Sequence, residues 1–274
     1  MDLVFIIILL ITGIFIGLAT GFLGVGGCFI MVPVMFWILT SMGFTDKIPI
    51  LVAFGTNLMV VVPTALSGAY RHWKKDAVLL KSAITMGVCG AISAFFGAFT
   101  ATQLPGNILK VVFGILILAS AVRMLLAKTS ADEQSPPENA TPYILVGFAV
   151  GFFTGLLGIG GGVLMVPALA ILLHFDMHKA VGTSTALMFF TASAGALSYM
   201  VLGLGTAGLP DISIGYVNLL MFLALAATSV PVAQVGARVA HLVPAKQLRY
   251  VFIVVMIYAG LKMVGLFEWL GLPL

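Results

Sequence analysis

Read for polarity alone, the chain is a succession of apolar stretches separated by short polar breaks. The apolar runs cover 3–22, 27–40, 49–70, 78–102 and 107–127, then 142–156, 160–174, 179–203, 213–236 and 245–267. About 20 helical residues span the hydrocarbon of a bilayer, so each half has three runs long enough to cross. Each half also opens with a glycine-interrupted pair of runs, at least one arm of which is short. The conspicuously polar connector is Lys128 to Asn139, which divides the two sets. The pattern predicts membrane repeats at 1–129 and 142–274, joined by a linker at 130–141.

The two sets are copies. Gly13 to Pro33 reads GIFIGLATGFLGVGGCFIMVP, and Gly147 to Pro167 reads GFAVGFFTGLLGIGGGVLMVP. Half of the aligned positions are identical, and about half of those identities are glycines. Ala53-Phe-Gly-Thr-Asn57 likewise matches Ala180-Val-Gly-Thr-Ser184, with Gly68 then falling on Gly195. Gly97, Pro105 and Lys110 match Gly236, Pro244 and Arg249. The duplication therefore runs the length of both halves.

Composition turns the pattern into a class. Hydrophobic residues make up 61% of the 274 and charged residues only 8%, where a water-soluble domain carries about a quarter charged. The chain reads as an integral membrane protein. Its start, MDLVFIIILLITG, has no basic leader or small-residue cleavage site, and is read as a membrane segment rather than a signal peptide. The net charge of +4 lies in loops, so it reports orientation and not nucleic-acid binding.

Charge also sets the relation of the halves. The first is basic after its third run (Arg71, Lys74, Lys75), where the second has no charge between Ser198 and Gly205. The second is basic after its fourth run (Arg238, Lys246, Arg249), where the first has only Lys110. Cytoplasmic loops attract Lys and Arg, so corresponding loops with exchanged charge belong on opposite sides, as an inverted repeat requires. Whether the glycine-interrupted pair crosses twice or is re-entrant, each half makes an odd number of crossings. The N-terminus is then outside and the linker cytoplasmic, and all Lys and Arg except Lys47, Lys110 and Lys262 lie on the cytoplasmic side. The expected fold is an all-α polytopic membrane protein of two inverted-topology repeats, each a Gly-interrupted helix pair plus three transmembrane helices.

Two patterns overlap in each glycine-rich copy. Gly13, Gly17 and Gly21, like Gly147, Gly151 and Gly155, recur every fourth residue and form a smooth face for close helix packing. The continuation differs. Gly24-Val-Gly26-Gly27 and Gly158-Ile-Gly160-Gly161-Gly162 are too rich in glycine for a helix interior, where each costs about 1 kcal/mol relative to Ala. The helix is expected to break there and restart toward Pro33 and Pro167. Broken backbone at membrane depth is tolerated only where protein or a watery cavity satisfies it. A restarted helix offers free N–H groups and roughly half a positive charge. Burying a small anion costs several kcal/mol, and three or four hydrogen bonds at roughly 1.5–3 kcal/mol each offset that. A tight interhelical turn without a ligand is the competing reading. No Gly-Lys-Ser/Thr follows either break, so neither is a phosphate P-loop.

Thr56, Asn57, Thr183, Ser184 and Thr185 place hydroxyl and amide groups inside apolar runs. Hydrogen bonding to helix backbone accounts for Thr and Ser of this kind, whereas the Asn57 amide wants several partners. Beside Gly55 and Gly182, these groups are candidates to complete a polar site next to the breaks. His174, Asp176, His178 and Lys179 cluster at a membrane edge, and Arg71 to Asp76 reads as an interfacial anchor. No run holds a carboxylate well away from both ends, so any proton or ion coupling leaves no mark. Cys28 and Cys89, in apolar Gly-rich surroundings, suggest buried thiols rather than a disulfide or metal site. No metal-ligand spacing, cofactor motif, carboxylate pair or nucleophile–base pair points to a metal, a cofactor or an enzyme.

The paired GxxGxGG…VP and A-x-G-T-[SN] motifs resemble the TauE/SafE family of sulfite and sulfonate exporters, also grouped with toluenesulfonate uptake permeases. The resemblance covers essentially the whole chain. It implies a multi-pass transporter of the prokaryotic plasma membrane for small, often sulfur-containing anions or organic acids. The family's motif falls on Gly24, Gly26, Gly27, Gly55, Thr56 and Asn57, and on Gly158, Gly160, Gly161, Gly182, Thr183 and Ser184. Cys28 departs from it where the second half keeps Gly162, and Asn57 stands where Ser184 is typical. The expected function is secondary transport of a small anion by alternating access. The substrate is expected at Gly24, Gly26, Gly27, Thr56, Asn57, Gly158, Gly160, Gly161, Thr183 and Ser184. An anion-selective channel is the alternative, with a membrane-embedded enzyme behind it.

Overall fold

The computed structural model describes residues 3–23, 26–45, 47–126, 137, 139–239 and 245–266. The long apolar runs form helices, because only internal pairing satisfies every backbone group without water. In the first half these are α1 (Leu3–Leu23), α2 (Cys28–Ser41), α3 (Ile48–Trp73), α4 (Leu80–Gln103) and α5 (Gly106–Leu126). In the second they are α6 (Thr141–Leu157), α7 (Gly162–Pro167), α8 (Met177–Leu202), α9 (Leu219–Val239) and α10 (Ala245–Val264). Among the described residues, six stretches are long and apolar enough to cross a membrane, and they make up all or most of α1, α3, α4, α5, α8 and α9.

Three local features differ from the pattern of apolar runs. The run at 160–174 is not one α-helix: α7 gives way after Pro167 to a π-helical segment, Ala168–Leu172. The run at 213–236 begins with a short two-stranded hairpin, the one piece of paired strand among the described residues of an otherwise all-α fold. Here β1 (Ser213–Ile214) pairs antiparallel with β2 (Val217–Asn218), with Ser213 opposite Asn218 and Ile214 opposite Val217. Finally, α6 already begins at Thr141, the last residue assigned to the linker, most of which lies outside the described residues.

The glycine stripes decide which helices touch. Gly13, Gly17 and Gly21 lie against α9, where a methyl on Gly17 would come 2.6 Å from the Ser229 carbonyl. Gly147, Gly151 and Gly155 lie against α4, where one on Gly147 would come 2.7 Å from the Met86 carbonyl. Bare backbone on one side lets each pair close to van der Waals contact, which is what drives helix association in lipid. The first helix of each half thus packs on the fourth helix of the other.

Between these pairs run α3 and α8, which pack on each other. Phe54, Leu58 and Val61 of α3 and Met188, Ala192 and Tyr199 of α8 are buried there. The α3–α9 seam carries polar ties: the Thr64 and Ser229 hydroxyls meet at 3.0 Å, and Ser67 Oγ donates to the Val230 carbonyl at 3.0 Å. On the outside, Ile84, Val88, Ile92, Phe95, Phe96 and Phe99 make an exposed apolar face of α4, suited to lipid.

Candidate functional site

The A-x-G-T motif lies within the first three turns of its helix and is largely buried, on α3 at Ala53–Asn57 and on α8 at Ala180–Ser184. Its glycine makes room for an incoming loop. A methyl on Gly55 would overlap the Tyr216 carbonyl, and one on Gly182 would overlap the Ala77 carbonyl. Its threonine then receives that loop. Thr56 Oγ1 accepts from the Asn218 N–H at 2.9 Å, and Thr183 Oγ1 accepts from the Leu79 N–H at 3.1 Å. Asn218 and Leu79 immediately precede α9 and α4, whose leading N–H groups have no partner within the helix. Each half's motif therefore anchors the start of the fourth helix of the other half. Asn218 completes its cap by accepting from the Met221 N–H at 2.9 Å through Oδ1.

The next position of the motif points elsewhere. Asn57 Nδ2 donates to the Gly158 carbonyl, in the glycine break of the opposite half. Ser184, at the matching position on α8, is fully buried. Gly158 ends α6 in the left-handed region (φ 60), and after Ile159 the backbone returns to positive φ at Gly160 (φ 68) and Gly161 (φ 92) before α7 begins. Those conformations are open to glycine and costly for side chains. Tyr199 on α8 donates its hydroxyl to the Gly155 carbonyl at 2.9 Å, so α3 and α8 both satisfy carbonyls at the end of α6.

The two breaks converge on the same side chains. Positions where a Cβ would stand on Gly26 lie 3.4 Å from Met188 Sδ, 3.8 Å from Val61 and 3.9 Å from the Ile159 carbonyl. On Gly160 that position lies 3.1 Å from Val61. On Gly161 it lies 3.1 Å from Thr154 Oγ1 and 3.5 Å from Thr191 Oγ1. Two polar atoms here have no hydrogen-bond partner among the described residues although fully buried: Asn57 Oδ1 and Thr154 Oγ1.

Of the ten residues singled out from sequence, Asn57 and Gly158 are directly bonded. Gly26, Gly160 and Gly161 gather around Val61, Met188 and Thr154. Thr56 and Thr183 are engaged with the loops ahead of α9 and α4, and Gly27 packs on Ile16. Gly24 lies outside the described residues. Sequence reasoning passed over Val61, Met188, Thr154, Thr191, Tyr199 and Asn218. Thr154 had a signal: with Thr20 it is the only polar side chain among the identities of the glycine-rich repeat. The others are ordinary residues of apolar runs until the fold brings them in.

The family model described as Sulfite exporter TauE/SafE matches residues 9–263. The chain belongs to the TauE/SafE family of membrane transporters. Named relatives agree in length as well as in kind. A "probable membrane transporter protein" of Methanocaldococcus jannaschii is 29% identical over 261 residues, covering 95% of this chain and 94% of its own length. YunE of Bacillus subtilis, named in the same words, is 30% identical over 282 residues, covering 96% and 99%. A Haemophilus influenzae protein of that name is 26% identical over 261 residues, covering 94% and 98%. No solved structure matches the transporter. It is a multi-pass membrane protein, and the convergence of two glycine breaks is the chemically distinctive place within it.

Proposed function

We propose that this transporter moves small anions, among them sulfite, sulfonates and related organic acids, by alternating access, with its substrate held where the two glycine breaks meet. One observation carries the reading: polar atoms of Asn57 and Thr154 that have no partner among the described residues are buried beside left-handed glycine backbone within an apolar bundle. Non-helical backbone at this depth persists where protein or a solute satisfies it, and an unpaired buried polar atom costs about 1–3 kcal/mol. A polar substrate offsets that cost, and a purely structural turn does not.

Two further parts of the reading concern the halves. Residues 1–129 and 142–274 are inverted repeats, with the N-terminus outside and the linker inside the cell. The exchanged loop charges support this. So does the packing of α1 on α9 and α6 on α4, the pairing that a two-fold relation between halves produces. Alternating access would then be a rocking of one set of helices against the other around α3 and α8.

The test is flux into proteoliposomes for a panel of sulfite, thiosulfate, sulfonates and carboxylates, with and without a pH gradient. Saturable, competable uptake of one or more of these is expected. Flux that never saturates would mark a channel instead, and accelerated chemical turnover of a panel member would mark an enzyme. Cysteines placed in the 130–141 linker should be labelled only from the cytoplasmic side.

A further inference from the structure

The Asn57 side chain is committed in one direction. Its Nδ2 donates to the Gly158 carbonyl, which ends α6. A half-turn of the amide would set Oδ1 against that same carbonyl, acceptor against acceptor. That bond fixes Oδ1 as the end of the amide facing away from Gly158, and it is fully buried with no donor among the described residues. Such an atom bears the full penalty of lost hydration.

Thr154 stands at the other end of the same short turn. Its Oγ1 is equally buried, has no partner among the described residues, and lies beside Gly161. A hydroxyl can donate, so it suits an anionic oxygen. Gly158 and Gly161 are three residues apart, so their Cα atoms lie within about 11 Å of each other. Near Gly26, Gly160 and Gly161 also lie Val61 and Met188, which are apolar, the Ile159 carbonyl, and Thr191, whose hydroxyl reaches the Met188 carbonyl at 3.4 Å.

Resting on the transport reading above, we propose that the substrate is an anion that carries its own hydrogen-bond donor, and that Asn57 Oδ1 receives it. Hydroxyalkanesulfonates and singly protonated oxyacids such as hydrogen sulfite have this chemistry. A fully deprotonated oxyanion offers only acceptors. It can take the Thr154 proton, but it leaves Oδ1 unpaired and sets negative charge beside it. A site built around a hydrogen-bond partner rejects an analogue lacking that partner more strongly than apolar contacts alone discriminate.

The deciding experiment compares 2-hydroxyethanesulfonate with propane-1-sulfonate in proteoliposomes of the full chain. The two share charge and chain length and differ by a hydroxyl in place of a methyl. The wild type should favour the hydroxyl form by at least about tenfold in kcat/KM. For sulfite, kcat/KM on total sulfite should fall as pH rises and the proton is lost. Asn57→Ser copies the residue at the matching Ser184 position. Its hydroxyl both donates and accepts, so both preferences should shrink to about threefold or less. Equal wild-type transport of the two sulfonates, or sulfite transport that is flat or rises with pH, overturns the donor requirement alone, whatever the variant's folding. Preferences unchanged in a folded Asn57→Ser protein overturn the assignment to Asn57. If the wild type moves neither sulfonate nor sulfite at any pH, the transport reading falls and this inference with it.

Discussion

The two glycine breaks are nearly the same sequence, yet they are finished differently. In the first, Thr20 donates to the Ile16 carbonyl at 2.9 Å, one turn back on its own helix. Its counterpart Thr154 makes no such bond and has no partner among the described residues. On the neighbouring third helix of the half, Thr64 bonds the Val60 carbonyl at 2.8 Å and meets Ser229 at 3.0 Å. The matching Thr191 reaches its carbonyl only at 3.4 Å, and its methyl faces Gly90 of α4. The restarted helices differ as well: α2 runs for 14 residues through Pro33, whereas α7 becomes π-helical after six. π-Helical turns are often found at functional sites. The repeat supplies two equivalent turns, and among the described residues the hydroxyls beside the first are bonded. The second keeps polar capacity in reserve.

The largest effect should come from the breaks themselves. Gly160→Val forces a branched side chain to φ 68 with Val61 only 3.1 Å from its Cβ. Left-handed strain of about 1–2 kcal/mol adds to that overlap, and flux should vanish while membrane insertion continues. Gly26→Val, at φ 78 with Met188 at 3.4 Å, should lose flux too, but retain more than Gly160→Val. Full flux in both variants would remove the substrate from the breaks. A larger loss at Gly26 would reverse the ranking of the halves.

Next come the caps, where the halves should behave alike. Thr56→Val and Thr183→Val each leave a backbone N–H ahead of α9 or α4 without its acceptor. Each should cost about 1–3 kcal/mol of stability, read as comparable drops in melting temperature of purified protein. A deep loss at one and none at the other would show that the motif's symmetry is only in the letters.

The smallest effects sharpen the comparison most. Thr20→Val removes a satisfied hydroxyl and should cost about 0.6 kcal/mol with flux unchanged. Thr154→Val removes an unpartnered one, so its melting temperature should hold or rise while flux falls about tenfold, the equivalent of roughly 1.4 kcal/mol in the binding of substrate. Identical behaviour of the two variants would mean that the breaks are equivalent after all.

How far the sequence could be read differs by element. The glycine stripes were legible because four-residue spacing places all three on one helix face, whatever lies opposite. The breaks were legible because glycine runs are costly in any helix. The hairpin at Ser213–Asn218 was not: its residues are apolar or small enough to pass as the start of α9, and its turn depends on Gly215 at φ 55. The role of Thr56 was hidden too, since its partner lies 162 residues away. Thr154 was visible as a repeated polar identity, but its lack of a partner was not.

By itself, then, the sequence determined what local free energies determine: that the chain enters a membrane, where its helices run, that it was duplicated, and where its backbone must leave the helix. Transfer of apolar residues and the conformational cost of glycine depend on each residue and its near neighbours. Only the tertiary structure decided which hydroxyls and amides are already bonded. Asn57 reaches the opposite half's break and Thr56 is taken up by Asn218. Of two threonines in the same repeated setting, one is bonded to its own helix and the other has no partner among the described residues. A hydrogen bond is a matter of a few tenths of an ångström between groups far apart in the chain, and the packing of α3 and α8 settles that distance.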